Sequence, residues 1–156
     1  MTDSSNPRQT PEYVIRPAVQ ADMADIIAID AEATGTEKPT YWQTIFTRYA
    51  QLNEERYFLV ASGQGRVLGF IAGRVRSWEF GAPPSGWVVA INLARNKREA
   101  GLGTALLDRL CATFQTDGIT KLRTSVARRD TVILSFFRSQ GMTAAPYVEL
   151  EMDLTP

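Results

Sequence analysis

The stretch between residues 87 and 114 restricts the fold of this chain more than any other. Trp87, Val88, Val89, Ala90, Ile91, Asn92 and Leu93 make a nearly continuous apolar run, the pattern of a strand covered on both faces. A loop with Arg95, Lys97 and Arg98 follows. Gly101, Leu102, Gly103 and Thr104 then open a segment in which Leu102, Leu106, Leu107, Leu110 and Phe114 fall on one helical stripe. Gly118 stands where a glycine ends a helix. A doubly covered strand leading into an amphipathic helix calls for a sheet flanked by helices.

The remaining elements follow from the same periodicities. Residues 13–16 read as a strand, and Met23, Ile26, Ile27 and Asp30 are spaced as one helical face. Gly35 and Pro39 bracket a break, after which Tyr41, Trp42, Ile45, Phe46, Tyr49 and Leu52 predict a second helix. Residues 57–61 and 66–78 are β-rich runs separated by Ser62, Gly63, Gln64 and Gly65, the composition of a hairpin. A turn over 81–86 with Pro83 and Pro84 leads into the apolar strand. Residues 121–127 predict another strand, Asp130 the N-cap of a helix running to Gln140 with Gly141 as its stop, and 147–154 a final alternating strand. The expected fold is mixed α/β, with a mixed, mostly antiparallel central sheet flanked by helices in the order β-α-α-β-β-β-α-β-α-β. At 156 residues, 11–156 are expected to form a single domain, after a polar leader over 1–10.

Charge and composition close off several functions. The 17 basic and 17 acidic residues cancel, so the broad positive field of a nucleic-acid-binding protein is missing. No apolar stretch approaches the length of a membrane span, and the opening residues lack a secretion signal, so a cytoplasmic location is expected. The sequence contains one cysteine, Cys111, and no histidine. That leaves no disulfide within the chain, no convincing metal site, and no imidazole base for a Ser-His or Cys-His pair.

The segment over residues 91–104 carries the chemistry. The first amides of a helix lack intrahelical acceptors and sit at its positive end, where a phosphate satisfies both. Glycine at 101 and 103 lets phosphate oxygens approach the main chain, and the Arg98 guanidinium suits a phosphate. There is neither a P-loop nor the third glycine of a dinucleotide fingerprint. What remains is RxxGxG followed by threonine, after an apolar strand.

In this the sequence resembles the GNAT superfamily of acyl-CoA-dependent N-acyltransferases, whose signature is [RQ]xxGx[GA] at the start of a leucine-rich helix; Arg98, Gly101 and Gly103 match it. The resemblance implies acetyl-CoA as acyl donor and a strand that splays from its neighbour, so that Ile91 and Leu93 bind the pantetheine arm as an added strand. The pyrophosphate would lie on the amides of Arg98, Glu99, Ala100, Gly101, Leu102, Gly103 and Thr104. Arg95 and Lys97 either assist the 3′-phosphate or are solvated loop charges. The Leu93 N–H is the implied oxyanion donor.

Two positions depart from the family pattern. Phe137 stands where many relatives carry a tyrosine that reprotonates the leaving thiolate, and here it would pack on the cofactor arm, on the helix that Asp130 opens. Ser85 stands where a glutamate base is often found, leaving nearby Glu79 as the alternative base, or simply as a turn carboxylate. Tyr147 is a further hydroxyl without an assigned role, and Cys111 reads as a small buried hydrophobe. The resemblance implies a primary amine of a small molecule or peptide as acceptor, with Glu32, Glu37, Tyr41, Trp42 and Trp78 as its surroundings. It leaves homodimer formation open. The alternative is a catalytically inactive acyl-CoA-binding or sensing module.

Overall fold

The computed structural model describes residues 12–51, 57–97 and 101–156. Five strands, β1 (Val14–Pro17), β2 (Phe58–Gly63), β3 (Arg66–Arg76), β4 (Ser85–Leu93) and β5 (Leu122–Arg123), form one sheet in the order β1-β2-β3-β4-β5. The first four are antiparallel neighbours and β5 runs parallel to β4. The helices are α1 (Met23–Thr34), α2 (Pro39–Gln51), α3 (Leu102–Thr116) and α4 (Thr131–Ser139). The chain divides into two compact units. The larger ends at Thr124 and holds the whole sheet with α1, α2 and α3; the smaller, Ser125–Pro156, holds α4.

In the larger unit the sheet separates two apolar layers. On one face, α1 and α2 bury Met23, Ile26, Ile29, Trp42 and Tyr49 against Phe58, Val60, Phe70 and Ala72. The Trp42 ring lies 5.1 Å from that of Phe70 and 6.0 Å from that of Phe58, separations at which aromatic pairs attract beyond their burial. On the other face, the expected stripe of α3 is fully inside: Leu102, Leu106, Leu107, Leu110 and Phe114 are all buried. Strand glycines let this helix come close. A Cβ at Gly86 would sit 2.6 Å from Phe114 Cδ2, and one at Gly73 would sit 3.0 Å from Phe114 Cζ, both inside normal van der Waals separation.

Polar anchors fix α1. Asp22 accepts from Arg16 at 2.7 and 2.9 Å and from the Val19 N–H at 2.8 Å, joining β1 to the helix start. Burial opposes its charge, but the bonds from Arg16 and Val19 outweigh that and hold its carboxyl below the usual range. Asp25 accepts the Val67 N–H at 3.0 Å, tying the same helix to the start of β3.

The element boundaries differ from the sequence reading where turn geometry decides them. The β2–β3 turn is only Gln64 and Gly65, with φ of 54° and 73°, the paired left-handed residues of a tight hairpin; Ser62 and Gly63 therefore join the strand. β3 stops at Arg76, two residues before the expected end, because Trp78 and Phe80 adopt φ of 61° and 49°. The strand expected over 121–127 is only two residues long. The final strand expected over 147–154 is not formed: those residues carry no ladder, and Val148, Leu150, Met152 and Leu154 are all exposed. Alternation makes a segment competent for pairing, but a strand needs a neighbour. α4 keeps its boundaries, with Asp130 accepting the Ile133 N–H at 3.2 Å as N-cap and Gly141 left-handed beyond its end.

The close approach of α3 gives the first prediction. Gly86→Ala forces the Phe114 ring to move and should destabilise the protein by about 1–3 kcal/mol, read as a lower midpoint in chemical denaturation. An unchanged midpoint would contradict the packing described.

Candidate functional site

The site begins with a change of parity in β4. Gly86 donates its N–H to the Lys121 carbonyl at 2.9 Å, and the Val88 carbonyl accepts from Thr124 Oγ1 at 3.0 Å. The backbone groups of 86 and 88 therefore point toward β5. Ala94, by contrast, donates to Leu68 at 2.8 Å on the β3 side. Even-numbered residues would keep pointing one way along a regular strand. The ladder shifts between Ala72 and Gly73, where Ala72 pairs with Ala90 and Gly73 with Val88. Val89 is thus an inserted bulge residue, and it reverses the parity.

As a result, the N–H and C=O groups of Ile91 and Leu93 point away from β3. On that side β5 pairs with β4 at only two positions, Gly86 with Leu122 and Trp87 with Arg123. From Val89 to Leu93 this edge meets no strand among the described residues. An extended ligand with amide groups fits such an edge as an added strand would. Ile91 is buried and Leu93 half-buried, with both side chains on the α3 face: the Leu93 methyl Cδ2 lies 2.6 Å from where a Gly69 Cβ would stand.

A 3-10 turn, Arg95–Lys97, follows the strand. Arg98, Glu99 and Ala100 lie outside the described residues. Gly101 is the N-cap of α3 in the left-handed region, φ 70° and ψ 10°, and its carbonyl accepts the Ala105 N–H at 3.1 Å. A Cβ on Gly101 would meet nothing within 4 Å, so glycine serves backbone conformation and open space here, while Gly103 is buried in the helix. The two glycines divide the roles that the sequence gave to both. Leu102 is buried and Thr104 half-buried in the same first turn.

Several candidates meet partners that alter their roles. Arg95 pairs with Glu32 at 3.3 Å, so one cation expected near a phosphate and one carboxylate expected near an amine are engaged with each other. Trp42 is core, its Nε1 donating to Asp30 at 3.0 Å, and Lys38 Nζ lies 2.9 Å from the same carboxylate. Sequence reading placed Asp30 on an apolar helical face without a role; a carboxylate in such a stripe was the available signal for a buried ion pair. Glu37, Tyr41 and Trp78 are exposed. Val89 and Thr124, which shape the open edge, carried no sequence signal.

The candidate acid–base groups stand as follows. Glu79 is exposed in the β3–β4 turn and accepts from Arg76 Nε at 2.9 Å. The Arg76 hydrogen bonds hold its carboxyl below the usual range. Ser85 is buried, and its Oγ accepts from Trp87 Nε1 at 3.0 Å and Arg123 at 3.2 Å. Cys111 is half-buried, and burial with nearby Asp108 raises its thiol pKa, so it stays protonated. In the smaller unit, Phe137 is buried with its ring 5.2 Å from that of Phe136, Asp130 is engaged as N-cap, and Tyr147 is exposed. Among the described residues no His, Cys, Asp or Glu group is arranged to hold a metal, and no helix is long and apolar enough to cross a membrane.

A mixed sheet with an open edge on β4 thus leads to a glycine-capped helix. Residues 23–142 match the Acetyltransferase (GNAT) family, and the chain belongs to that family of acyl-CoA-dependent N-acetyltransferases. No curated protein sequence matches it. Among solved structures, it is similar to the aminoglycoside N-acetyltransferase AAC(6')-Iy in complex with CoA, with a TM-score of 0.77 at 12% identity over 92% of this chain and 95% of that one. It is also similar to the aminoglycoside antibiotic 6'-N-acetyltransferase AAC(6')-IG from Acinetobacter haemolyticus, with a TM-score of 0.71 at 17% identity over 92% and 99%. Ard1 from Thermoplasma volcanium gives a TM-score of 0.71 at 22% identity over 86% and 84%.

The ion pair of Glu79 sets a test. Loss of a general base costs on the order of 100- to 10,000-fold in rate, whereas Glu79→Gln is expected to leave kcat/KM within about twofold. A hundredfold fall would restore the carboxylate as base.

Proposed function

We propose that this protein transfers the acetyl group of acetyl-CoA to a primary amine of a small molecule or peptide by direct attack on the thioester. The observation that carries the reading is the outward-facing backbone of Ile91 and Leu93 on an edge that β5 leaves open. Family membership supplies the donor; a pantetheine arm, with its amides, has the chemistry this edge accepts.

The chain's own residues then have separable tasks. The Ile91 and Leu93 main chain holds the arm. The start of α3, with Gly101, Leu102, Gly103 and Thr104, offers its positive end and amides to the pyrophosphate, joined in sequence by Arg98, Glu99 and Ala100. The Leu93 N–H opposes the negative charge that develops on the thioester oxygen, a contact worth most where water is excluded. Holding amine and thioester together supplies a further large part of the rate. Phe137 has no proton to give, so water protonates the leaving thiolate, and with Glu79 engaged by Arg76 the acceptor's proton also leaves through water.

The acceptor side of this proposal lies around α1 and the α1–α2 connection. Glu37 and Tyr41 are exposed there, a carboxylate and an aromatic ring of the kind that suit a cation. That the similar structures include aminoglycoside N-acetyltransferases, one of them in complex with sisomicin, supports screening polyamines and aminosugars first. The absence of a tyrosine at 137 favours one other reading, a module that binds acyl-CoA without turning it over.

Two measurements test the proposal. Calorimetric titration with acetyl-CoA should show saturable binding that weakens roughly 10- to 100-fold in Gly101→Asp, which places a carboxylate and a strained backbone where phosphate is expected; no binding by the wild type would remove the cofactor reading. Leu93→Pro should fold, because the lost N–H serves no β3 bond, yet lose about 100- to 1,000-fold in kcat. Unimpaired turnover in this variant would remove Leu93 as the oxyanion donor, and binding without turnover on any amine would favour the non-catalytic module.

A further inference from the structure

We propose that the corner of the sheet where β4 and β5 part is an anion-binding subsite, and that the acceptor amine also carries a carboxylate, which Arg74 and Arg123 hold there. The inference deepens the acyl-transfer reading above and rests on it for the place of the thioester. Strand register builds the corner. Gly73 and Gly86 face Phe114 on α3, so alternation turns Arg74, Arg76, Ser85 and Trp87 to the opposite face of the sheet. On that face Trp87 has Arg74 opposite it on β3 and Arg123 opposite it on β5, while Arg76 stands opposite Ser85.

Three guanidiniums on three adjacent strands therefore surround one indole ring, in a chain whose charges otherwise cancel. Like charges placed side by side on a sheet oppose its formation. Glu79 accepts from Arg76 Nε at 2.9 Å, and Arg74 favours the charged form of the same carboxylate, so one carboxylate serves two arginines. A bound anion would relieve the remaining repulsion.

Two of the arginines are held in place by their neighbours. The Arg76 guanidinium carbon lies 4.1 Å from the centre of the Trp87 ring, within the range of cation–π attraction. Arg123 donates to Ser85 Oγ at 3.2 Å, and Trp87 Nε1 donates to the same oxygen at 3.0 Å. Ser85 is buried, so this hub is anchored inside the protein. Arg74 is exposed at the same corner. A guanidinium offers a carboxylate two parallel N–H groups, and a fork that is already positioned loses little freedom when it binds.

The corner also stands where an acceptor needs it. β5 pairs with β4 at Gly86 and Trp87, and Thr124 Oγ1 donates to the Val88 carbonyl at 3.0 Å. The open edge begins at the next residue, Val89. The α3 terminus proposed for the pyrophosphate and this junction lie at opposite ends of the edge. An acceptor that meets the thioester from the side away from the cofactor thus passes Trp87 and Arg123. Its carboxylate would be attracted to the corner, whereas the second ammonium of a diamine would be repelled.

The experiment compares glycine, β-alanine and γ-aminobutyrate as acceptors with their carboxamides, using acetyl-CoA, the full chain, and far-UV circular dichroism as the fold control. The best amino acid is expected to exceed its carboxamide in kcat/KM by about 10- to 100-fold, the worth of hydrogen bonds to a charged group. In Arg74→Gln with Arg123→Gln this ratio should fall to within about threefold of one, and Arg123→Lys should retain part of it. A merely structural role would lower both acceptors alike and leave the ratio in place. Calorimetric titration of the N-acetyl amino acids into CoA-saturated protein should show binding that the double variant loses. A protein that binds them yet acetylates no amine keeps the subsite and loses only the acyl-transfer reading. Absence of both carboxylate preference and binding in the wild type, or a preference that survives the double substitution, would overturn the proposal. Should the double variant fail to fold, Arg74→Gln, at an exposed side chain, still decides by whether the ratio falls.

Discussion

A single inserted residue in β4 governs which backbone groups this sheet offers to a ligand. Before Val89, residues 86 and 88 point to β5; after it, 90, 92 and 94 point to β3 and Ile91 and Leu93 to the open edge. Without the bulge, the amides facing outward would be those of Ala90 and Asn92, and the side chains of Ile91 and Leu93 would turn from α3 toward the α1–α2 face. The extra twist that a bulge introduces also accords with β5 leaving β4 after two positions. Open edge, outward Leu93 N–H and covered apolar side chains are consequences of the same insertion.

Everything around β4 holds that edge in place. On one face α3 seats closely over glycines, with Phe114 filling the space that a side chain at 73 or 86 would take. On the other face the aromatic cluster of Trp42, Phe58 and Phe70 is joined to α1 by the Asp30 carboxylate, itself satisfied by Trp42 and Lys38. A buried carboxylate with two partners fixes one arrangement of helices, since losing either partner would leave a charge in a dry site. α1 is therefore anchored at its start through Asp22, along its length through Asp25, and near its end through Asp30.

The proposed chemistry relies on position more than on acid–base side chains. The described carboxylates near β4 and α1 are engaged: Glu79 by Arg76, Glu32 by Arg95, Asp30 by Lys38 and Trp42. In the proposed reaction a main-chain donor and a helix terminus remain, and neither depends on pH or on side-chain identity. The fold itself is shared with the solved structures at identities of 12–22%.

Local pattern was enough for much of the fold. The leucine stripe of α3, the capping by Asp130, the stops at Gly118 and Gly141, the two opening helices and the hairpin depend on neighbours within a few residues, and all were legible from the chain. The RxxGxG segment likewise named the helix start, because the need for a left-handed Gly101 is written locally. Tertiary structure alone decided the rest. The bulge at Val89 exists only relative to β3, the ion pairs of Arg95 with Glu32 and Arg76 with Glu79 only once their loops are placed, and the short β5 only through its pairing with β4. The stretch over 147–154 is the clearest case: its sequence specifies a strand's alternation, but pairing is a property of two edges, and a chain's own pattern does not say where the second edge will be.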